Sequence, residues 1–285
     1  MDAVLADLIS VLNLETIEAN IFRGQSRDIG SPQVFGGQVL GQALIAANRT
    51  VDEARTVHSL HAYFLRRGDV NAPIVYEVDR ARDGGSFSSR RVIAIQHGRQ
   101  IFNMAASFQV SETGLEHSMD PPDVPGPDGL PDITEVRIPD MEHLPARVQE
   151  FLRHRRPFHF RLVDDFSVEG EGMRPVKYVW IKALDKLPDD PRLHQAMLAY
   201  VSDYELLGTA TLPHGRERFL RGELQMASLD HAMWFHHDCR ADDWLLYAFD
   251  SPMAAGARGL ARGQMFTRDG QLVVSTAQEG LIRLR

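Results

Sequence analysis

The chain has 285 residues and a single cysteine, Cys239. One thiol excludes an internal disulfide and any metal site built from several thiolates. Long apolar runs are also missing; none approaches the ~20 residues that cross a bilayer. Positive charge is in short supply. Lys and Arg total 31 against 39 Asp and Glu, a formal net charge of −8, which argues against nucleic acid as a partner. An anionic ligand would need a local arginine cluster. Arg66 with Arg67, Arg80 with Arg82, Arg90 with Arg91, and Arg258 with Arg262 are candidates, and each pair reads equally well as a solvated strand end.

Familiar catalytic signatures are absent as well. There is no G-x-S-x-G nucleophile elbow, no Walker A lysine loop, no H-E-x-x-H, and no G-x-G-x-x-G leading into a helix. The run His236-His237-Asp238-Cys239 looks metal-like, but neighbours on a strand point to opposite faces and could not share one ion. Cys239 reads as an apolar filler. The N-terminal segment is acidic and amphipathic, unlike a secretory signal, and LIRLR is not a peroxisomal address. These features lead us to expect a cytoplasmic protein without metal.

What is present is an ordinary globular composition, 44% hydrophobic and 25% charged, with one compositional break. Seven of the 15 prolines fall between residues 119 and 145. Proline removes backbone donors and resists helix and central strand alike. Residues 112–145 therefore read as a linker between an N-terminal unit, 1–111, and a C-terminal unit, 146–285.

Each unit reads as one long apolar helix followed by antiparallel strands, an α+β pattern in which a curved sheet buries the helix. In the first, the helix falls within FGGQVLGQALIAANRTV, with strands near 57–66, 73–82, 87–96 and 100–110. In the second, Leu193, Ala196, Met197, Tyr200, Val201 and Tyr204 form a stripe over 193–206, with strands near 223–236, 244–250, 257–267 and 272–284. Superimposing the stripes pairs Gln38 with Gln195, and Ala46 with Asp203. Ser59 then pairs with Ser228 and Gln109 with Gln278, each serine 50 residues before its glutamine. The pattern implies a duplication.

Asp203 lies at the edge of its stripe, one turn before Gly208. Partial desolvation and the negative end of its helix both raise a carboxylate pKa and make a better proton acceptor. MASLDHAMWF and STAQEG place Ser228 and Gln278 on inward strand positions. A carboxylate, a hydroxyl and an amide can together hold and activate one water, the chemistry of a hydrolase. Gly36 and Gly37 at a helix start suit close packing, and could also offer free N–H groups to a carbonyl oxygen. His58 draws notice because it adjoins Ser59; His61 and His231 read as packed or hydrogen-bonding strand residues.

FRGQS (22–26), QVFGGQVLGQAL (33–44), VHSLHAYFLRRGD (57–69), DGLP (128–131), LDHAMWFH (229–236), LLYAFDSPMAAGARG (245–259) and STAQEGLIR (275–283) resemble the acyl-CoA thioesterase II family. The resemblance runs from about residue 10 to the C-terminus. It implies a double hotdog fold, two helix-in-sheet units in one chain. It also implies a catalytic set of Asp203, Ser228 (where bacterial members commonly carry threonine) and Gln278. Gly36, Gly37 and His58 would then serve the oxyanion or the substrate. The implied substrate is an acyl-CoA of medium to long chain. No cofactor is implied, nor insertion in a membrane, and a homodimer or higher homo-oligomer is expected. Two rivals stand beside it. A 3-hydroxyacyl-CoA dehydratase or hydratase would want a histidine soon after the carboxylate, and Tyr204-Glu205-Leu206-Leu207-Gly208 supplies none. A non-catalytic acyl-CoA-binding protein would not need the three polar groups together.

Overall fold

The computed structural model describes all residues except 136–141, 143–145, 164–171, 216–217 and 219–220. The later part of the expected linker lies outside the described residues. Among the described residues, no helix is long and apolar enough to cross a membrane.

The elements run α1 (Ala3–Leu12), β1 (Glu15–Glu18), β2 (Ile21–Gly24), α2 (Gly36–Asn48), β3 (Arg55–Phe64), β4 (Ile74–Asp83), β5 (Phe87–Gln96) and β6 (Arg99–Val110). After the linker come α3 (Ala146–Arg153), β7 (Phe158–Leu162), β8 (Val176–Ala183) and α4 (Pro191–Ser202). A 3-10 segment, Leu207–His214, leads to β9 (Leu224–Ser228), β10 (Asp230–Phe235), β11 (Leu245–Ala255), β12 (Arg258–Thr267) and β13 (Leu272–Leu284). The strands join in one antiparallel sheet, ordered β1-β2-β4-β5-β6-β3-β10-β13-β12-β11-β8-β7, with β9 beside β13. The β3–β10 seam, where Leu60 faces Met233, fuses the two halves.

α2 and α4 lie against each other inside this sheet, and both are buried on nearly every side. That is why α4 carries no polar face, although its apolar stripe reads as one side of an amphipathic helix. Asp190 caps its first turn through a hydrogen bond from the Arg192 N–H, and Pro191 presets the backbone there. The expected helix over 193–206 ends instead at Ser202. Asp203 is the C-cap, and Glu205 turns the chain in the left-handed region at φ 65°. Such a conformation is costly for a residue with a Cβ. Lys177 on β8 holds it, bonding the Glu205 carbonyl at 3.0 Å and its carboxylate at 2.9 Å. β8 is not among the strands that the sequence pattern marks out.

The linker crosses the outer face of the second half. Trp180 Nε1 donates to the Pro125 carbonyl, and Arg161 to that of Pro127. Val124 and Leu130 cover an outer apolar cluster of Trp180, Leu246, Ala248 and Phe266. Proline suits this course, because the segment donates almost nothing to the sheet it covers.

The ladders establish the internal repeat and correct its register. The Asp79–Arg91 pair of β4–β5 answers to Asp250–Arg262 of β11–β12, and the same irregularity follows each, before Arg82 and before Met253. Arg91–Ala105 answers to Arg262–Ala277. The counterpart of Gln278 is therefore Ala106, not Gln109, and the Leu60–Ala106 pair matches His231 beside Gln278. Val57–Phe108 matches Ser228–Gly280. Ser59 and Gln109 point outward, and Gln109 bonds Glu112 at an exposed position. A helical stripe shifted by one turn still coincides with itself, whereas a strand shifted by one residue changes face. The helix ends also refuse Ala46: alignment at the C-caps puts Arg49 opposite Asp203, and alignment at the N-caps puts Asn48 there.

Candidate active site

At the C-terminus of α4, Asp203 meets the N-terminus of α2. A Cβ on Gly36 would stand 2.6 Å from the Asp203 Oδ2 and 3.0 Å from the Phe64 ring, so only glycine leaves room for this carboxylate. One on Gly37 would collide with the Tyr200 carbonyl, so this glycine lets the two helices approach. The Gly37 N–H already stabilises the Asp203 carboxylate, and both glycines shape its seat.

The Asp203 side chain is 6% exposed. Burial raises its pKa, opposed by hydrogen bonds from Gln278 and from the Gly37 backbone. Desolvation outweighs both, the direction that turns a carboxylate into a better base. The field of the α2 N-terminus favours the anion, which keeps a buried charge tolerable here.

Gln278 sits on β13, 1% exposed, on the inner face. Its Nε2 donates to Asp203 Oδ1 at 2.7 Å and to His231 Nδ1 at 3.0 Å. Its Oε1 is buried without a protein partner among the described residues. Turning the amide over would set that oxygen against the carboxylate, so the nitrogen belongs where it is. Ser228 lies opposite Gly280 in the β9–β13 ladder. It therefore shares the inner face with Gln278, one step along the strand. Its hydroxyl does not bond Asp203 or Gln278 directly; the hydrogen bonds of the site run between Gln278, Asp203 and His231.

His58 is not brought to this site. It sits at the bulge of β3, where its Nε2 bonds Ser107 Oγ at 2.8 Å and its ring meets Phe87 edge-on. Ser107 alternates with core-facing Ala106 and Phe108, so this contact is on the outer face. His231, by contrast, joins the constellation although nothing in its own sequence context announced a role there. Only the strand parity that places Gln278 inward could have pointed to it.

On the same inner face, Leu207 stands over Gly280. Beyond it a cleft of about 380 Å³ opens between the 3-10 segment and the ends of β9, β11 and β13. Leu224, Ala255 and Ile282 help line it, with His214 and Arg258 among its polar groups.

Among known proteins, the family model for acyl-CoA thioesterase matches residues 152–281, and that for the acyl-CoA thioesterase N-terminal domain matches 23–109. The chain is 43% identical to an acyl-CoA thioesterase 2 of Haemophilus influenzae, over 99% of both. It is 40% identical to human acyl-coenzyme A thioesterase 8, covering 97% of this chain and 88% of that one. A solved acyl-CoA thioesterase II, TesB2 from Mycobacterium marinum, is 44% identical and superimposes with a TM-score of 0.80 over 98% of each chain. A hot dog fold protein of Alicyclobacillus acidocaldarius, 18% identical, aligns with a TM-score of 0.79 and shows the same fold.

Proposed function

This chain belongs to the acyl-CoA thioesterase II family and is an acyl-CoA thioesterase, and we propose that it hydrolyses its substrates with a water activated by Asp203. The observation that carries this reading is a buried carboxylate of raised pKa held by an inward glutamine amide. Asp203 takes a proton from the water, which attacks the thioester carbonyl. The free Gln278 Oε1 accepts the second proton of the water in a hydrogen bond, and Ser228 holds the same water from the next step of the strand. The field at the α2 N-terminus stabilises the negative charge growing on the carbonyl oxygen, with Gly36 the nearest helical N–H. The thiolate of coenzyme A leaves readily without a strong general acid. No cofactor enters these steps. The cleft beyond Leu207 receives the part of the substrate remote from the thioester, so Ala255→Trp should raise KM more than it lowers kcat.

The nearness of His231 to Asp203, 4.0 Å between Nδ1 and Oδ1, gives the dehydratase reading its one support. That histidine is fully buried behind Gln278, with both ring nitrogens bonded, and cannot reach a substrate. Incubation with palmitoyl-CoA, and separately with an enoyl-CoA, each with a thiol reagent, decides between the readings. Free thiol released with turnover supports the mechanism. Hydration of an enoyl-CoA without thiol release, or binding without reaction, would reject it.

Tyr63 and Trp234 are exposed on the outer face at the seam between the halves. Sheet surface with such exposed side chains suits closure by a second copy. Light scattering at micromolar concentration should report a dimer or larger, and a monomer would reject this.

A further inference from the structure

We infer that His231 is a positioning residue that fixes which way the Gln278 amide faces. The inference rests on the mechanism above, and goes beyond it by reaching a residue that touches neither substrate nor water.

The hydrogen bonds admit one consistent assignment. Gln278 Nε2 can only donate, so His231 Nδ1 must accept and carries no proton. A neutral imidazole then has its proton on Nε2. That nitrogen lies 2.9 Å from Ser202 Oγ, to which it donates. Ser202 in turn donates to the Ala199 carbonyl at 2.9 Å, within α4. A relay thus runs from the backbone of α4 through Ser202 and His231 to Gln278, and ends on Asp203, the residue after Ser202. Both amide protons of Gln278 are engaged, and its oxygen alone is left to face the water.

The surroundings keep His231 in this state. Burial drives its pKa down to about 3, so roughly one molecule in 10⁴ is protonated at neutral pH. A proton on Nδ1 would demand the amide oxygen instead, and would aim the amide nitrogen at the water. The first half shows what the fold alone requires at this point. Its counterpart is Leu60, packed against Ala106. An imidazole is therefore not needed to fill the space.

Four measurements test this. His231→Leu, the residue that the first half carries, should lower kcat at least tenfold with KM changed less than about twofold. His231→Asn, whose Oδ1 can accept where Nδ1 does, should recover most of the loss. In a Gln278→Ala background, His231→Leu should cost nothing further, since it acts through that amide. ¹⁵N NMR of the imidazole in the resting enzyme should report the Nε2–H tautomer. An Nδ1–H tautomer, an undiminished kcat in His231→Leu, or full additivity with Gln278→Ala would each overturn the inference. If His231→Leu fails to fold, the asparagine variant and the tautomer still decide. Should Asp203→Asn and Gln278→Ala stay active, the mechanism fails whatever the tautomer shows. Should both be inactive while His231→Leu is not, only the role of His231 falls.

Discussion

The two halves of this chain share strand order, bulge positions and ladder register, yet their inner faces differ at each place where chemistry would occur. Where the second half has Ser228, His231 and Gln278, the first has Val57, Leu60 and Ala106, all buried and apolar. The two ends of the helix pair differ in the same way. At one end the C-cap Asp203 faces the open start of α2. At the other, Arg192 from α4 fills the corresponding place, donating to the Asn48, Val51 and Asp52 carbonyls at the C-terminus of α2. An arginine there completes the free carbonyls of a helix end. One copy of the duplication has thus become core and closure, and the other carries the polar groups that a core would exclude. The Gln278 Oε1, buried without a protein partner among the described residues, costs about 1–3 kcal/mol, and a water held there for reaction would offset it; the Asn48 amide at the other end is buried without a partner too.

The largest break in this comparison should come from Asp203→Asn. The amide is nearly isosteric but accepts no proton, and loss of a general base costs about 10²–10⁴ in rate. A folded variant retaining more than a tenth of the turnover would move the base elsewhere. Next in size is Gln278→Ala, which imports the first half's alanine. It should lower kcat more than it raises KM, and a pure KM effect would contradict its place beside the water. Ser228→Ala should also impair turnover, while Ser228→Thr stays near wild type. Unchanged kinetics in the alanine variant would remove the hydroxyl from the mechanism.

Smaller effects follow from the pKa of Asp203. In the proposed mechanism its ionised form is the active one, so kcat/KM should fall as pH drops through a value above the ordinary carboxylate range. A limb at the unperturbed value would speak against a desolvated base. The same shift bears on stability with the opposite sense. The native pKa is raised above the unfolded one, so stability grows as pH falls through it, and the ionised group is a burden at neutral pH. Asp203→Asn should therefore melt a few degrees higher at pH 7. An unchanged or lower melting temperature would show that the α2 N-terminus fully compensates the charge.

Much of this was legible in the sequence. The helix and strand periods outlined both units, and the inward parity of Ser228 and Gln278 followed from two short strands. The repeat register did not follow. A 3.6-residue period is nearly blind to a shift of one turn, so the stripes pair Ala46 with Asp203 where the helix ends put Asn48 or Arg49. On the strands, the equal Ser-to-Gln spacing suggested a pairing that the ladders refuse, because the bulge at His58 displaces β3 and sets Ser59 outward. The end of α4 was hidden for another reason. Glu205 in the left-handed region is held by Lys177 and Arg156, both far away in the chain. The role of His231 likewise depends on Ser202, 29 residues upstream and adjacent only once α4 lies on the sheet.

The claim that a single copy of the duplication works is tested most directly by counting sites. A non-hydrolysable thioether analogue of a long-chain acyl-CoA, titrated calorimetrically into the wild-type protein, should bind with a stoichiometry of one per chain. Two equivalent molecules per chain would show that the apolar face of the first half is a site after all.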